Sequence, residues 1–154
     1  MEKKKPIKRH KALQPLSRQH HFGLLFSWKL RKGFSKNIEL QRLSEYAKWF
    51  YKNEIKPHFS DEEKYVFPIL EEGNELVERA LKDHRRIKRL FNDTKHPAKS
   101  LNRLEEELEA HIRFEERILF NEIQKVATEE QFEKIEEIHR HLEKTSEYHD
   151  PFWE

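Results

Sequence analysis

The sequence predicts an all-α protein, an antiparallel up-down four-helix bundle with a short extra helix at its C-terminal end. Three observations lead to this fold class. Glu, Lys, Leu and Arg dominate the composition and are good helix formers, whereas glycine occurs only three times. Charged residues make up 39% of the chain and apolar residues 35%, which suits amphipathic helices with charged outer faces. Apolar residues also recur at helical spacing along four long segments.

The chain has 154 residues, which suits one domain. We divide it into a basic N-terminal tail at 1–12, the bundle at 13–127, and a short C-terminal helix and tail at 128–154. Six lysines and arginines stand against one glutamate in residues 1–11. Such a segment could contact nucleic acid or an anionic membrane, but it is more typical of a solvated, partly disordered tail.

Several classes of protein are excluded by composition. The chain has no cysteine, which rules out disulfides, zinc–thiolate sites, iron–sulfur clusters and thiol catalysis. No apolar run approaches the ~20 residues of a membrane helix, and no apolar segment of a secretory signal follows the basic start. We therefore expect a cytoplasmic protein with no membrane and no nucleic acid as partner. Nothing in the sequence indicates a protein partner.

The first two helices are marked by prolines and glycines. Pro15 is favourable in the first turn of a helix, and Gly33 is expected to end that helix. The second helix is predicted from near Asn37 to Leu70. Pro57 lies inside its apolar pattern, so we expect a kink or a break there.

A turn at Gly73 separates the second helix from the third, which is predicted at 75–91. A loop at 92–100 leads to the fourth helix at 101–126. Four long helices with short connections favour an antiparallel up-down bundle, and such bundles bind ligands on their inward faces.

The C-terminal part carries a clear helix-start signal. Thr128 resembles an N-cap, and Gln131 stands at the position of its capping-box partner, so a fifth helix is predicted up to about His141. Phe152 and Trp153 in the tail are candidates for docking on the body of the bundle.

The second and fourth helices contain the same ten-position pattern, a histidine and an apolar residue followed by two glutamates, a basic residue and a phenylalanine. His58 is followed four residues later by Glu62, and His111 by Glu115. Residues four apart lie on one helix face, one turn apart. The imidazole and carboxylate of each pair can therefore reach one metal ion or two adjacent ions.

The second glutamate of each doublet, Glu63 or Glu116, lies about 100° further round the helix. We expect it to face solvent or to support a metal ligand from behind.

A weaker match joins the first and third helices. Residues 16–20 and 80–84 both read apolar, any residue, basic, polar, histidine. The chain therefore resembles two helical hairpins. In each hairpin the first helix carries one candidate histidine and the second helix carries an H-x-x-x-E motif. Packed with approximate two-fold symmetry, they would bring four histidines and two carboxylates together on the bundle axis.

Two neighbouring histidines compete for the position on the first helix. His20 and His21 lie 100° apart, so only one can point to the axis. His20 shares a face with Leu16 and Leu24 and matches the third-helix repeat, so we prefer it. His21 stays a candidate, and the residue that is not the ligand would support the other from behind.

Imidazole nitrogen and carboxylate oxygen without sulfur suit iron, manganese or zinc. Four tetrahedral ligands satisfy zinc, whereas six ligands in two symmetric halves suit two metal ions bridged by Glu62 and Glu115. Iron is the preferred prediction, because its two common oxidation states make a bridged pair chemically useful. A buried histidine can also form its hydrogen bond with a carbonyl or an acid. One H-x-x-x-E motif alone is therefore weak evidence for metal binding, and the repeat of the motif is the stronger evidence.

These motifs together resemble the hemerythrin-like family of HHE cation-binding domains over residues 13–127. The resembling residues are those at 16–21, Asp83, the two glutamate doublets and the predicted metal ligands, which are His20 or His21, His58, Glu62, His84, His111 and Glu115. The resemblance implies two iron ions bridged by both glutamates and an oxo or hydroxo group, with manganese or zinc as other possible metals. A small diatomic molecule or peroxide would be the partner.

Lys88 departs from the family pattern, because oxygen-carrying hemerythrins have a second histidine at that position. The metal at His84 and His111 would have one protein ligand fewer, which disfavours reversible oxygen carriage. We therefore expect a di-iron protein that handles or senses oxygen, nitric oxide or iron, rather than a dedicated enzyme. The alternatives are a di-iron oxidase or a stress enzyme that consumes peroxide or nitric oxide, and a metal-free helical adaptor.

Overall fold

The computed structural model describes residues 8–140 and 147–154 of the chain. Every regular element in these two ranges is a helix, which confirms the all-α fold expected from the sequence. The five helices of the described residues are α1 at Gln14–Ser35, α2 at 40–69, α3 at Glu75–Phe91, α4 at 97–126 and α5 at Glu129–His139. None of them combines the length and apolar character that crossing a bilayer requires.

Two of the helices, α2 and α4, are rods in which α-helix alternates with wider π-turns. The stretches of α2 are Leu40–Phe50 (α), Tyr51–Ile55 (π), Lys56–Asp61 (α), Glu62–Val66 (π) and Phe67–Ile69 (3₁₀). The stretches of α4 are Pro97–Phe114 (α), Glu115–Leu119 (π) and Phe120–Val126 (α). A π-turn adds one residue to a helical turn and so changes which side chains face inward after it.

Pro57 lies inside α2 without ending it. A proline cannot donate a backbone hydrogen bond and clashes with the carbonyl four residues earlier. The π-turn Tyr51–Ile55 directly precedes the stretch that contains Pro57, and there the N–H of Lys56 donates to the carbonyl of Tyr51, five residues back. The wider turn accommodates the proline, so the interruption expected at this residue takes the form of a π-turn and not of a break.

Gly33 does not end α1, which continues to Ser35. This corrects the sequence-based boundary, and close packing is the reason for the glycine. A Cβ at Gly33 would lie 2.5 Å from a methyl carbon of Leu43 and 2.9 Å from the ring of Phe152. The C-terminal segment therefore docks against α1 where this helix has no side chain.

Two helix starts are capped by side chains, and the one at Thr128 confirms the prediction. Asn74 caps α3 by accepting two backbone N–H bonds, and Thr128 and Gln131 form the predicted capping box of α5. The last helical residue of α5 is His139, and His141 lies outside the described residues.

Lys8 and Lys11 are exposed, as expected for a solvated basic tail, but Arg9 and Ala12 are packed against the bundle. Ala12 is fully buried, and the guanidinium of Arg9 donates a 2.6 Å hydrogen bond to the backbone carbonyl of Glu116 on α4. This short segment therefore packs along α4. Residues 1–7 of the tail lie outside the described part of the chain.

The buried apolar residues form two clusters. The aromatic cluster contains Phe26, Leu30, Leu43, Tyr46, Ala47, Phe50, Ile55, Phe59, Ile87, Phe91, Leu101, Leu104, Leu108, Ile112 and Phe152. The α5-side cluster contains Ala12, Leu13, Leu16, Val66, Phe67, Leu70, Ala80, Phe114, Leu119, Phe120, Ile123, Phe132 and Ile135. Between them along α1 to α4 stand buried histidines and glutamates, so a polar layer separates two apolar ones.

Candidate metal centre

Six side chains from four helices meet in this polar layer. They are His20 from α1, His58 and Glu62 from α2, His84 from α3, and His111 and Glu115 from α4. None of the six is more than 5% exposed, and both glutamates are fully buried. Buried carboxylates are costly unless they are paired, hydrogen-bonded or bound to a metal ion.

The ligand atoms divide into two groups of four. One group contains His20 and His58, the other contains His84 and His111, and both groups include Glu62 and Glu115. Within each group the ligand atoms lie within 4.8 Å of one another. Each carboxylate can thus face two ion positions at once, as a bridge does.

The Nε2 atoms of the imidazoles point toward the carboxylates. The Nε2 atoms of His58 and His84 each lie 3.2 Å from Oε1 of Glu62, although these histidines come from different helices. Nε2 of His111 lies 2.6 Å from Oε1 of Glu115, one helical turn along α4. The spacing of four residues read from the sequence therefore places each pair on the inner face.

The inward-facing atoms have no hydrogen-bond partner among the described residues. They are Nε2 of His20, His58, His84 and His111 and both carboxylate oxygens of Glu62 and Glu115. Leaving a buried polar atom without a partner costs about 1–3 kcal/mol, and more for a charged group. A cation at each group would satisfy these atoms, so the residues present fit a metal centre.

Three of the imidazoles are hydrogen-bonded through their other ring nitrogen, whereas Nδ1 of His20 has only a longer contact with Glu116. The Nδ1 contacts are His58 with Gln19 at 2.6 Å, His84 with Glu63 at 2.8 Å, His111 with Asp83 at 2.9 Å and His20 with Glu116 at 3.5 Å. When Nδ1–H donates to an oxygen, the Nε2 lone pair remains free for a cation. The supporting groups therefore select the tautomer that a metal needs.

The two glutamates of each doublet have different roles: the first offers ligand atoms, and the second contacts a histidine ring. Glu62 and Glu115 point into the layer, while Glu63 and Glu116 reach His84 and His20. A π-turn begins at the first glutamate of each doublet, and such turns are frequent at functional sites. The sequence left open whether the second glutamates face solvent or support a ligand, and their contacts are those of supporting groups.

Gln19 and Asp83 are supporting residues that the sequence reasoning missed. Each directly precedes the inward-facing histidine of its helix, yet it contacts the H-x-x-x-E histidine of the following helix. The available signal was the polar position before histidine in the weaker repeat. That position alone does not reveal a contact with a different helix.

Two residues that the sequence singled out lie outside both groups. His21 is exposed on the outer side of α1, whereas His20 faces the polar layer. Lys88 is also exposed, and the fully buried Ile87 occupies the inner face of α3 one turn after His84. Among the described residues, α3 thus presents His84 alone to the centre.

The electrostatics of the layer favour an ionised Glu62. Burial alone would raise the pKa of Glu62, but His58 and the other groups around it hold that pKa well below its usual range. Burial alone would lower the pKa of His84, but the carboxylates of Glu62 and Glu63, at 3.2 and 2.8 Å from its two ring nitrogens, outweigh it and raise the pKa to about 9. The pKa values of His20 and His111 are raised as well, because nearby carboxylates outweigh the effect of burial, so without a metal, protons on these three imidazoles compensate the buried negative charge.

A small cavity adjoins the centre on the side of His20 and His58. Its volume is about 10 Å³, which is near the size needed for one water molecule. Gly23 and Glu54 are among its lining residues. A Cβ at Gly23 would lie 2.6 Å from a methyl carbon of Ile112, so the glycine allows α1 to pack closely against α4 beside the cavity.

The comparison with protein families gives one match. Residues 10–100 match the model of the hemerythrin HHE cation binding domain. This range contains α1 to α3 with His20, His58, Glu62 and His84, and the structure adds the second H-x-x-x-E helix beyond its end. The searches of curated proteins and of solved structures gave no match. Since the matched range covers more than half of the chain, the chain belongs to the hemerythrin HHE cation-binding domain family.

Proposed function

We propose that this protein binds two iron ions in the polar layer and uses them to handle or sense oxygen, nitric oxide or iron. The observation that carries the proposal is the sharing of Glu62 and Glu115 by two groups of ligand atoms. Two adjacent cations repel each other, and two shared carboxylates offset that repulsion while holding the ions at a short separation.

The donor set supports iron over zinc. Each group offers two imidazole nitrogens and two carboxylate oxygens, without sulfur. Iron, manganese and zinc accept such donors, but four protein ligands would complete a tetrahedral zinc site. An ion that accepts more than four ligands keeps free positions in each group, and a small molecule could occupy them. Bound iron would supply one-electron redox chemistry.

The cavity supports a small ligand. It adjoins His20 and His58, and its volume of about 10 Å³ is near the size needed for one water molecule. The two apolar clusters on either side of the layer exclude bulk water. The supporting residues keep the imidazoles oriented whether or not a ligand enters. Small ligands such as oxygen, nitric oxide and peroxide are therefore the class that we propose.

A di-iron oxidase or an enzyme that consumes peroxide or nitric oxide is the second candidate. Glu54 favours it, because this half-buried carboxyl lines the cavity and burial raises its pKa. A carboxyl group that can hold a proton beside a small-molecule cavity suits general acid catalysis, and oxygen or peroxide reduction consumes protons.

Metal analysis of protein produced with iron tests the main proposal. We expect about two irons per chain and the near-ultraviolet absorption of a bridged ferric pair. Binding of zinc alone, or of one ion per chain, would contradict it. Rapid mixing of the reduced protein with oxygen, nitric oxide or peroxide then separates the candidates. A stable adduct supports binding or sensing, whereas repeated consumption supports an enzyme.

A further inference from the structure

We propose that the two ion positions differ in affinity, that the position at His84 and His111 binds a divalent cation first, and that Asp83 sets this order. The inference rests on the proposed function, because it assumes two ions in the polar layer. It concerns the residues behind the imidazoles and not the ligands themselves, which are the same types in both groups.

Gln19 and Asp83 occupy equivalent places in the two hairpins. Gln19 precedes His20 on α1 and bonds Nδ1 of His58, at 2.6 Å. Asp83 precedes His84 on α3 and bonds Nδ1 of His111, at 2.9 Å. Both distances are those of well-formed hydrogen bonds. The two positions therefore differ in the charge of the acceptor and not in its geometry.

That charge acts on the metal through the ring. A carboxylate that accepts the Nδ1–H bond makes the imidazole a stronger electron donor at Nε2, and it adds a negative charge near the cation. A neutral amide holds the ring in place without either effect. The position of His111 should therefore attract a divalent cation more strongly than that of His58.

The other two supporting residues, Glu116 and Glu63, increase the difference in negative charge between the two ion positions. Glu116, behind His20, accepts a hydrogen bond from Ser17 at 3.0 Å and lies 3.4 Å from the guanidinium of Arg9. Glu63, behind His84, pairs with no lysine or arginine within the described residues. The charge of Glu116 is thus partly compensated, whereas that of Glu63 is not.

One cation opposes this trend. Arg86 donates to Asp83 at 2.7 Å and so reduces its charge. The same guanidinium also bonds Glu107 at 2.9 Å, so its charge is divided between two carboxylates. Taking both supporting residues of each position together, the side of His84 and His111 retains the greater negative charge.

Stepwise titration of the metal-free protein with Co²⁺, without oxygen and followed by its visible spectrum, tests the inference. We expect two resolved binding steps in the unmodified protein. Asp83→Asn keeps an acceptor and removes the charge, so it should weaken the tighter step by roughly 10- to 100-fold, the range for supporting residues of metal ligands. Gln19→Glu should strengthen the weaker step instead.

Histidine side-chain NMR with Zn²⁺ assigns the steps to positions. At one equivalent, the ring nitrogens of His84 and His111 should shift before those of His20 and His58. Asp93→Asn, in the connection between α3 and α4, is a matched control that removes a carboxylate bonded to Ser100 and should change neither step.

The outcomes separate the two proposals. Failure of the protein to bind any cation would overturn both this inference and the proposed function. Two ions that bind with equal affinity, or an equal loss in both steps with Asp83→Asn, would overturn only the inference. If Asp83→Asn fails to fold, Gln19→Glu still decides, because an unchanged weaker step would then refute the role of the supporting charge.

Discussion

The aromatic cluster and the polar layer lie in the same bundle core, but only the polar layer contains buried atoms that require a bonding partner. Phe26 and His20 are six residues apart on α1, and both are almost fully buried. The ring of Phe26 stacks on that of Phe50, with centroids 4.4 Å apart, and has no polar atom that requires a hydrogen bond. Nε2 of His20 lacks a hydrogen-bond partner in the described structure. The aromatic cluster therefore stabilises the fold by itself, whereas the polar layer needs a cation.

This difference has an energetic basis. Burial of a large apolar side chain contributes about 1.5–3 kcal/mol, independent of any metal. An unpartnered buried polar atom costs about 1–3 kcal/mol. We therefore expect a metal-free protein that keeps the fold through its apolar clusters and gains much of its stability when the layer binds ions.

Removal of a shared glutamate should give the largest effect. Glu115→Ala is expected to abolish both ion positions, because both groups use this carboxylate. With iron present, the variant should lose metal and unfold with at least about 3–5 kcal/mol less stability, as when one partner of a buried ionic site is removed. Metal analysis and denaturant unfolding measure both effects.

Glu122→Ala is the matched control for that experiment, because Glu122 lies on α4 and its side chain is 44% exposed. The control should keep two ions and its stability. A Glu115→Ala protein that still binds two ions would show that this glutamate is not shared.

Truncation in the aromatic cluster should affect stability without affecting metal content. Phe26→Ala leaves a cavity among fully buried neighbours, so we expect a loss of about 3–5 kcal/mol. The loss should be the same with and without metal, since the ring takes no part in the polar layer. Urea unfolding of both forms measures it, and loss of iron from this variant would contradict the independence of the two regions.

Stability of the metal-free protein should fall as pH rises from about 6.5 to 9. The pKa of His84 is raised to about 9 in the folded chain, so the folded state holds the proton more tightly than the unfolded state. The resulting stabilisation is complete below the unfolded value of about 6.5 and is lost as pH rises through the folded value.

Metal binding should show the opposite trend over the same range, because a cation must displace protons from the imidazoles. Thermal unfolding with chelator or with excess Co²⁺, at several pH values, measures both trends. Stability of the metal-free protein that rises between pH 6.5 and 9 would contradict the assignment of proton compensation to the polar layer.

Loss of a supporting carboxylate should give the smallest effect. Glu63→Gln keeps an oxygen that can accept the Nδ1–H bond of His84, and the side chain of Glu63 is 45% exposed. We expect about a 10-fold loss in metal affinity and little change in the stability of the metal-free protein. Competition with a metal chelator measures the affinity. A loss as severe as that of Glu115→Ala would place Glu63 among the ligands.

Local spacing was sufficient to predict the fold class and the inward face of two helices. Four residues turn an α-helix little more than once, so His58 with Glu62, and His111 with Glu115, lie together in any α-helical conformation. The repeat of this motif also predicted that the two pairs meet. Capping at Thr128 was equally local, because its hydrogen bonds span only three residues.

Contacts between different helices could not be predicted from residue spacing within one helix. Gln19 supports His58, and residues 8–12 pack along α4, because separate parts of the chain pack side by side. The apolar pattern favoured His20 over His21, but it left His21 as a candidate until the packing of α1 placed His20 inward. Hydrogen bonds along one helix follow from sequence separation, whereas the partner behind an imidazole depends on how whole helices pack, which no local pattern encodes.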